Sequence, residues 1–388
     1  MSVFPTPQAV PPWAAWCGDE RVVATPLAGS GFSGASVFLV ERPDGGKWVL
    51  KNFGPHVLPA RALWIHGLMA HLRAGGLDTV PRPAELPGQH AALPATPQEA
   101  VGGTLLLVRV ARDQSPARDH VPAHDQSTAG DELWEFVEFL PGGPRSAPSP
   151  AEAARALAAL GQLHAVAATL PDSEAAVEAS PGVIRRGLQA ARMLAAPWRT
   201  LVGRAGPESS SRDLMARLRL AVEIFETHRG RESLASVAAV RPLALSVQPV
   251  LRDLWSDHVL FHDDGRLSGF IDFHAAARDT PWTDVARLLG SWDASPDASA
   301  AAAPVSDRWA AAVDAYAPGR PPTRRDRRLI DWLHASAVIC GLDNWFRWLI
   351  VERRQFADHE RVFARVDRLL AALPGALATV RDVRPDRD

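Results

Sequence analysis

Asp253 and Asp272 bracket a short apolar segment in the second half of the chain. The first lies in Leu251-Arg252-Asp253-Leu254-Trp255-Ser256-Asp257-His258-Val259-Leu260-Phe261, the second in Gly269-Phe270-Ile271-Asp272-Phe273. Asp263-Asp264-Gly265 between them is a hairpin signal, so a short strand pair can hold both carboxylates on one side of a cleft. Moving a phosphoryl group from a metal–ATP complex to a hydroxyl requires that layout. One carboxylate orients and deprotonates the hydroxyl, and another ligates the metal that bridges the phosphates. Taken singly, either aspartate reads equally well as a helix cap or a solvated turn residue.

A second candidate group precedes these. Gly29-Ser30-Gly31-Phe32-Ser33-Gly34 has the spacing G-x-G-x-x-G. A dinucleotide fingerprint must open into a helix and a P-loop must end in G-K-[ST], whereas here Ala35 to Val40 continues as a strand. What remains is a glycine loop folded over phosphates, its backbone N–H groups free to approach the anion, with a lysine on the following strand. Lys51 occupies that place, and Lys47 and Lys51 are the only lysines in the chain. The bland alternative is a flexible turn beside a surface lysine.

These residues need elements to position them. Ser36–Val40 and Trp48–Phe53 flank Pro43-Asp44-Gly45-Gly46, which predicts a hairpin. A helix over Arg61–Ala74 ends at Gly75-Gly76, and strands follow at Thr104–Val110 and Trp134–Leu140 around a polar insert, Asp113–Gly130. Ser149, Pro150 and Glu152 predict a capped helix to about Leu170. Helical patterns then dominate, over Ile184–Leu194, Arg212–Thr227, Asp284–Ser291, Asp326–Leu349 and Asp358–Leu373, interrupted by the strand pair Val259–Phe261 and Leu267–Phe273. The chain divides into a strand-rich part up to about Leu140 and a larger helical part beyond it.

Composition narrows the function classes. With 388 residues, 47% of them hydrophobic, the chain can bury a sizeable core. Forty-two basic against 44 acidic residues leave a net charge of -2, which argues against nucleic-acid or anionic-membrane partners. Two distant cysteines, Cys17 and Cys340, make neither a disulfide framework nor a zinc knuckle. The proline-rich start lacks a signal-peptide pattern and no long apolar run occurs, so the expected location is cytoplasmic.

Together the motifs resemble the aminoglycoside phosphotransferase family of the protein-kinase-like fold. The resemblance runs in order from about residue 22 to 292. It implies an α+β, bilobal architecture: a proline-rich tail over 1–20, a strand-rich N-lobe over 21–140 and a larger helical C-lobe over 141–380. It also implies ATP-dependent transfer of the γ-phosphoryl group to a hydroxyl of a small molecule, with Mg2+ as the metal. Gly29, Gly31, Ser33 and Gly34 are similar to the nucleotide loop, and Lys51 to the lysine on the α- and β-phosphates. Trp134 to Gly142 resembles the hinge, where Glu138 and Leu140 would offer backbone groups to adenine. Leu163-His164 resembles the end of the first large C-lobe helix, Asp253 the catalytic aspartate, Asp272 the metal aspartate and Asp284 the start of a following helix.

Three positions depart from the family pattern. His258 stands where an asparagine helps bind the metal, and imidazole suits Mg2+ poorly, so either Asp257 or water takes over, or the second metal site is weak, or a softer ion such as Mn2+ is used. Leu251 replaces a histidine. No acidic residue occurs between Asp44 and Asp78 to supply the helix glutamate that would pair with Lys51, and His66 is the nearest polar residue on that helix. These departures keep a rival reading open, a nucleotide-binding pseudokinase or scaffold without turnover. A third reading is a metal hydrolase built on Asp253, Asp272, His258, His262 and His274. Asp284 reads either as a helix cap or as a brace for the catalytic loop. His120 and His124 have ligand-like spacing inside the polar insert, Arg324, Arg325, Arg327 and Arg328 form a basic run, and Asp343 lies among Trp332, Trp345 and Trp348 as a candidate for a cationic or polyhydroxylated substrate.

Overall fold

The computed structural model describes residues 22–27, 37–53, 57–84, 107–110, 132–202, 209–240, 242–292, 303–317, 322–356 and 358–385. The glycine motif 29–34, Cys17 and the whole polar insert, Asp113–Gly130, lie outside them. The chain forms two compact units, one of residues 1–74 and 80–140, the other of 75–79 and 141–388. Gly75–Thr79 thus joins the second unit, where the Phe270 N–H donates to the Thr79 carbonyl at 2.8 Å. No helix among the described residues is long and apolar enough to cross a membrane.

The first unit is a five-stranded antiparallel sheet, β1 (Val23–Pro26), β2 (Val37–Glu41), β3 (Lys47–Asn52), β4 (Leu107–Val110) and β5 (Glu132–Glu138), in the order β1-β2-β3-β5-β4. The β2–β3 turn is the expected one: Gly45 takes φ +83°, a conformation that favours glycine, and Asp44 Oδ1 accepts from the Gly46 N–H at 2.9 Å. Side chains alternate across a strand, so register decides which residues share a face. Leu50 pairs with Phe38 and Phe136, and with Val40 and Trp134 these residues form an apolar cluster. Lys51 and Glu135 are paired and belong to the opposite face. Helix α1 (Pro59–Ala74) lies on that second face, as the contact between His66 and Glu135 shows.

In the second unit, helix α2 (Pro150–Ala167) begins with the expected capping box: Ser149 Oγ accepts from the Glu152 N–H at 3.3 Å, and the Ser149 N–H donates to Glu152 Oε2 at 2.7 Å. Those bonds hold the Glu152 carboxyl below its ordinary range, the Ser149 backbone N–H contributing most. Leu157, Leu160 and Leu163 recur at helical spacing and are buried. The helix passes so close to the chain at Tyr316 that a Cβ at Gly161 would stand 1.7 Å from the Tyr316 carbonyl oxygen. Backbone cannot yield as a flexible side chain can. Gly161→Ala is therefore expected to lower stability by about 3 kcal/mol or more, read as an earlier urea midpoint.

Two three-stranded sheets complete the unit. One is ordered β10 (Leu267–Phe270), β9 (Val259–Phe261), β6 (Gly143–Pro144), and the other β11 (Ala277–Asp279), β8 (Ala244–Val250), β7 (Ala176–Ala179). The expected strand to Phe273 stops at Phe270, because Gly269 sits at a register shift and Asp272 turns left-handed at φ +64°. Helices α3 (Pro181–Ala195), α4 (Ser209–Thr227), α5 (Gly230–Ala238), α6 (Trp282–Trp292), α7 (Val305–Arg308), α8 (Ala310–Ala315), α9 (Arg324–Phe346) and α10 (His359–Asp382) follow in chain order among these strands. The helix expected to end at Leu373 continues through Pro374. Pro374 costs one N–H bond, but Leu370 and Leu373 before it and Leu377 and Val380 after it are all buried, which outweighs the loss.

Candidate active site

The segment after β8 carries Asp253, and its backbone is fixed from outside. Arg252 adopts φ +64°, a conformation a non-glycine residue rarely takes without support. The support is Asp284 on α6, fully buried, whose Oδ2 accepts from the Leu251 N–H at 2.7 Å and whose Oδ1 accepts from the Arg252 N–H at 2.6 Å. His164 Nε2 lies 3.1 Å from Asp284 Oδ2, and His164 Nδ1 lies 2.7 Å from the Tyr316 hydroxyl. Burial, aided by the Asp284 charge, pushes the Tyr316 hydroxyl well above its ordinary range, so it stays protonated and donates to Nδ1. That leaves Nε2–H to donate to Asp284. Of the two roles open to Asp284, bracing the loop is the one these bonds describe.

Asp253 itself is held by one oxygen. Its Oδ1 accepts from Trp255 Nε1 at 2.6 Å and from the Arg287 guanidinium. Arg287 projects from the same helix as Asp284 and stacks on the Trp255 ring at 4.2 Å, with Arg365 over that ring at 3.5 Å. Burial lowers the Arg365 guanidinium to about 9, with Arg368 and Arg287 adding to the effect. Oδ2 takes no hydrogen bond among the described residues. The carboxylate is 41% exposed, enough to meet a bound hydroxyl.

His258 links the two aspartates. Its Nδ1 is 2.7 Å from the Asp253 carbonyl and its Nε2 is 3.6 Å from Asp272 Oδ2. The carbonyl can only accept, so Nδ1 carries the proton and Nε2 faces Asp272. This is the tautomer that metal-binding histidines use, with the far nitrogen tied to a backbone carbonyl. Asp272 Oδ2 and His258 Nε2 therefore lie close enough together that both could donate to one cation. No group of three or more His, Cys, Asp or Glu side chains suited to a metal occurs among the described residues.

In the first unit, Lys51 is half-buried on β3. On β5, the Glu138 N–H donates to the Arg82 carbonyl at 2.8 Å, so only its carbonyl is left for a ligand. Leu140 lies just past the strand and is buried. Gly29, Gly31, Ser33 and Gly34 lie outside the described residues, as do His120 and His124. Asp343 is not an open acceptor for a cation. Arg192 at 2.5 Å, Gln189 at 2.9 Å and Trp198 Nε1 at 3.2 Å already engage it.

Arg287 and Trp255 escaped the sequence reading. The signal for Arg287 was its place three residues after Asp284, close to one helical turn and so on a neighbouring face. Nothing local marked it as a partner of Asp253.

Sheet order, helical unit and braced loop define a protein-kinase-like fold. The chain belongs to the phosphotransferase enzyme family, whose profile matches residues 111–325. A homoserine kinase of Azorhizobium caulinodans is 27% identical over 262 residues, 66% of this chain and 61% of that protein, so the match spans less than two thirds of the relative. Among solved structures, an aminoglycoside phosphotransferase from Alicyclobacillus acidocaldarius is 13% identical with a TM-score of 0.54, covering 98% of this chain and 97% of that one. A spectinomycin phosphotransferase, solved with ADP and spectinomycin, is 10% identical with a TM-score of 0.52, covering 93% of each chain. At such identities the likeness concerns the fold.

Proposed function

We propose that this protein transfers the γ-phosphoryl group of ATP to a hydroxyl of a small molecule. The observation that carries the reading is the Asp253–His258–Asp272 constellation, two aspartates tied through one imidazole on a loop braced by Asp284. In the first unit, Lys51 and the glycine loop hold the phosphates, and the Glu138 and Leu140 backbone receives adenine. In the second, Asp272 and His258 Nε2 would hold a divalent cation, Mg2+ or the more imidazole-tolerant Mn2+. That cation, when bound, neutralises phosphate charge. Asp253 Oδ2 accepts the hydrogen bond of the acceptor hydroxyl and takes its proton as the oxygen attacks phosphorus. Rate comes from positioning and charge neutralisation. The relatives that act on homoserine, spectinomycin or aminoglycosides support a hydroxyl-bearing small molecule as acceptor. Charge and composition support a cytoplasmic enzyme with no nucleic-acid or membrane partner.

The Arg287 ion pair on Asp253 favours one second reading, a nucleotide-binding module without turnover. Calorimetric titration of ATP with Mg2+ and then Mn2+ is the first test. Binding that requires metal and weakens at least tenfold in both Lys51→Met and Asp272→Ala is expected. Absence of binding with either metal sinks both readings. Binding without acceptor phosphorylation or ATP hydrolysis selects the module.

A further inference from the structure

An ammonium that must hold a phosphate cannot be left to swing on a four-carbon stem; a carboxylate beside it fixes its place. Helix α1 carries no acidic residue, and two of its polar side chains reach β5, Arg73 at Glu138 and His66 at Glu135. His66 is fully buried and its Nε2 lies 3.1 Å from Glu135 Oε2. Glu135 is itself 5% exposed, so its charge is out of water and has to be balanced by a cation within the protein. Strand register brings one beside it. Lys51 and Glu135 are direct cross-strand partners between β3 and β5. The Phe139 N–H to Lys47 carbonyl bond at 3.1 Å marks Lys47–Phe139 as a hydrogen-bonded pair. Two steps of two residues along the ladder make Lys51–Glu135 a pair of the same kind. Side chains of such a pair leave the sheet on one face with Cα atoms about 5.5 Å apart, within reach of a lysine and a glutamate.

We propose that Glu135 is the positioning residue for Lys51: its carboxylate is shared between the Lys51 ammonium and the His66 imidazole, so a strand supplies the charge and the helix supplies only its orientation. The proposal rests on the phosphotransferase reading for what Lys51 does, not for the pair itself. In the ordinary arrangement a helix movement can break such a pair. Here both charges ride on neighbouring hydrogen-bonded strands, and the lysine stays paired whatever α1 does.

The test exploits a chain with two lysines. Reductive methylation with 13C-formaldehyde labels Lys47, Lys51 and the amino terminus, and Lys47→Arg assigns the signals. Glu135→Gln, which keeps shape and the bond to His66, is expected to move the 13C-methyl resonance of Lys51 and leave that of Lys47 in place, while Glu135→Asp restores most of the difference. An unmoved Lys51 resonance in folded Glu135→Gln overturns the proposal. If that variant does not fold, Lys51→Met with 15N-histidine labelling decides from the other side. The His66 ring resonances shift when its carboxylate loses the ammonium, and unchanged resonances overturn the pairing. ATP titrations separate this result from the parent reading. Glu135→Gln should weaken ATP about tenfold in the wild-type background and have no further effect in Lys51→Met, the non-additivity expected of a residue acting through the lysine. Loss of ATP binding in Lys51→Met with none in Glu135→Gln overturns the positioning role alone. No ATP binding by the wild type removes the phosphotransferase reading, and the lysine resonance still decides the pair.

Discussion

Asp253→Asn is expected to cut phosphoryl transfer by about 10³-fold while leaving ATP affinity within about twofold. The asparagine keeps an oxygen for Trp255 Nε1 and Arg287, so the loop geometry that those two residues fix is retained. What disappears is the free carboxylate oxygen, replaced by an amide that cannot take a proton from an incoming hydroxyl. The effect therefore belongs in kcat, read by coupled detection of ADP with a hydroxyl acceptor present, or by acceptor-independent ATP hydrolysis. A non-turnover module predicts no change in either quantity. Arg287 sharpens the distinction. Its guanidinium stacks on Trp255 and pairs with the same carboxylate oxygen, which leaves Asp253 a single oxygen to present and so fixes the direction from which a hydroxyl must arrive. Arg287→Met removes the clamp but not the base, and a fall of about tenfold, smaller than that for Asp253→Asn, is the expected order.

Which parts were legible in the sequence follows from range. The β2–β3 turn and the α2 capping box are written in a few adjacent residues, and both form as the local chemistry dictates. Strands β7 and β8 were not read: Ala176–Ala179 is short and exposed, and β8 contains Pro249, which ordinarily argues against a strand with neighbours on both sides. The same limit applies to the site. Asp253, His258 and Asp272 fall within one short stretch, and their neighbourhood could be inferred. Partners that arrive from far along the chain could not. His164 reaches Asp284 across most of the second unit, and Glu135 meets His66 only because β5 is laid beside β3. The missing helix acid was visible as an absence, but register, which no local pattern specifies, is what places a carboxylate opposite Lys51.

Asp284→Ala is expected to have the largest effect on the fold, a loss of about 3–5 kcal/mol together with nearly all activity. One buried carboxylate answers three donors: the N–H groups of Leu251 and Arg252 and Nε2–H of His164. Alanine leaves the Leu251 N–H and the His164 Nε2–H in a dry interior, each a desolvated donor without an acceptor, and takes the acceptor from the half-buried Arg252 N–H. The consequences are not confined to α6. Arg252 is held left-handed only while its N–H is bound, so its relaxation carries Asp253 and, through the carbonyl of that residue, His258 away from Asp272. Asp284→Asn separates the two roles. It keeps volume and one acceptor oxygen but presents an amide N–H₂ to a donor, so it should fold with a smaller penalty and still lose turnover. Urea unfolding measured beside ATP hydrolysis resolves the two effects. If Asp284→Asn folds and turns over normally, Asp284 only caps its helix and the loop holds its own shape.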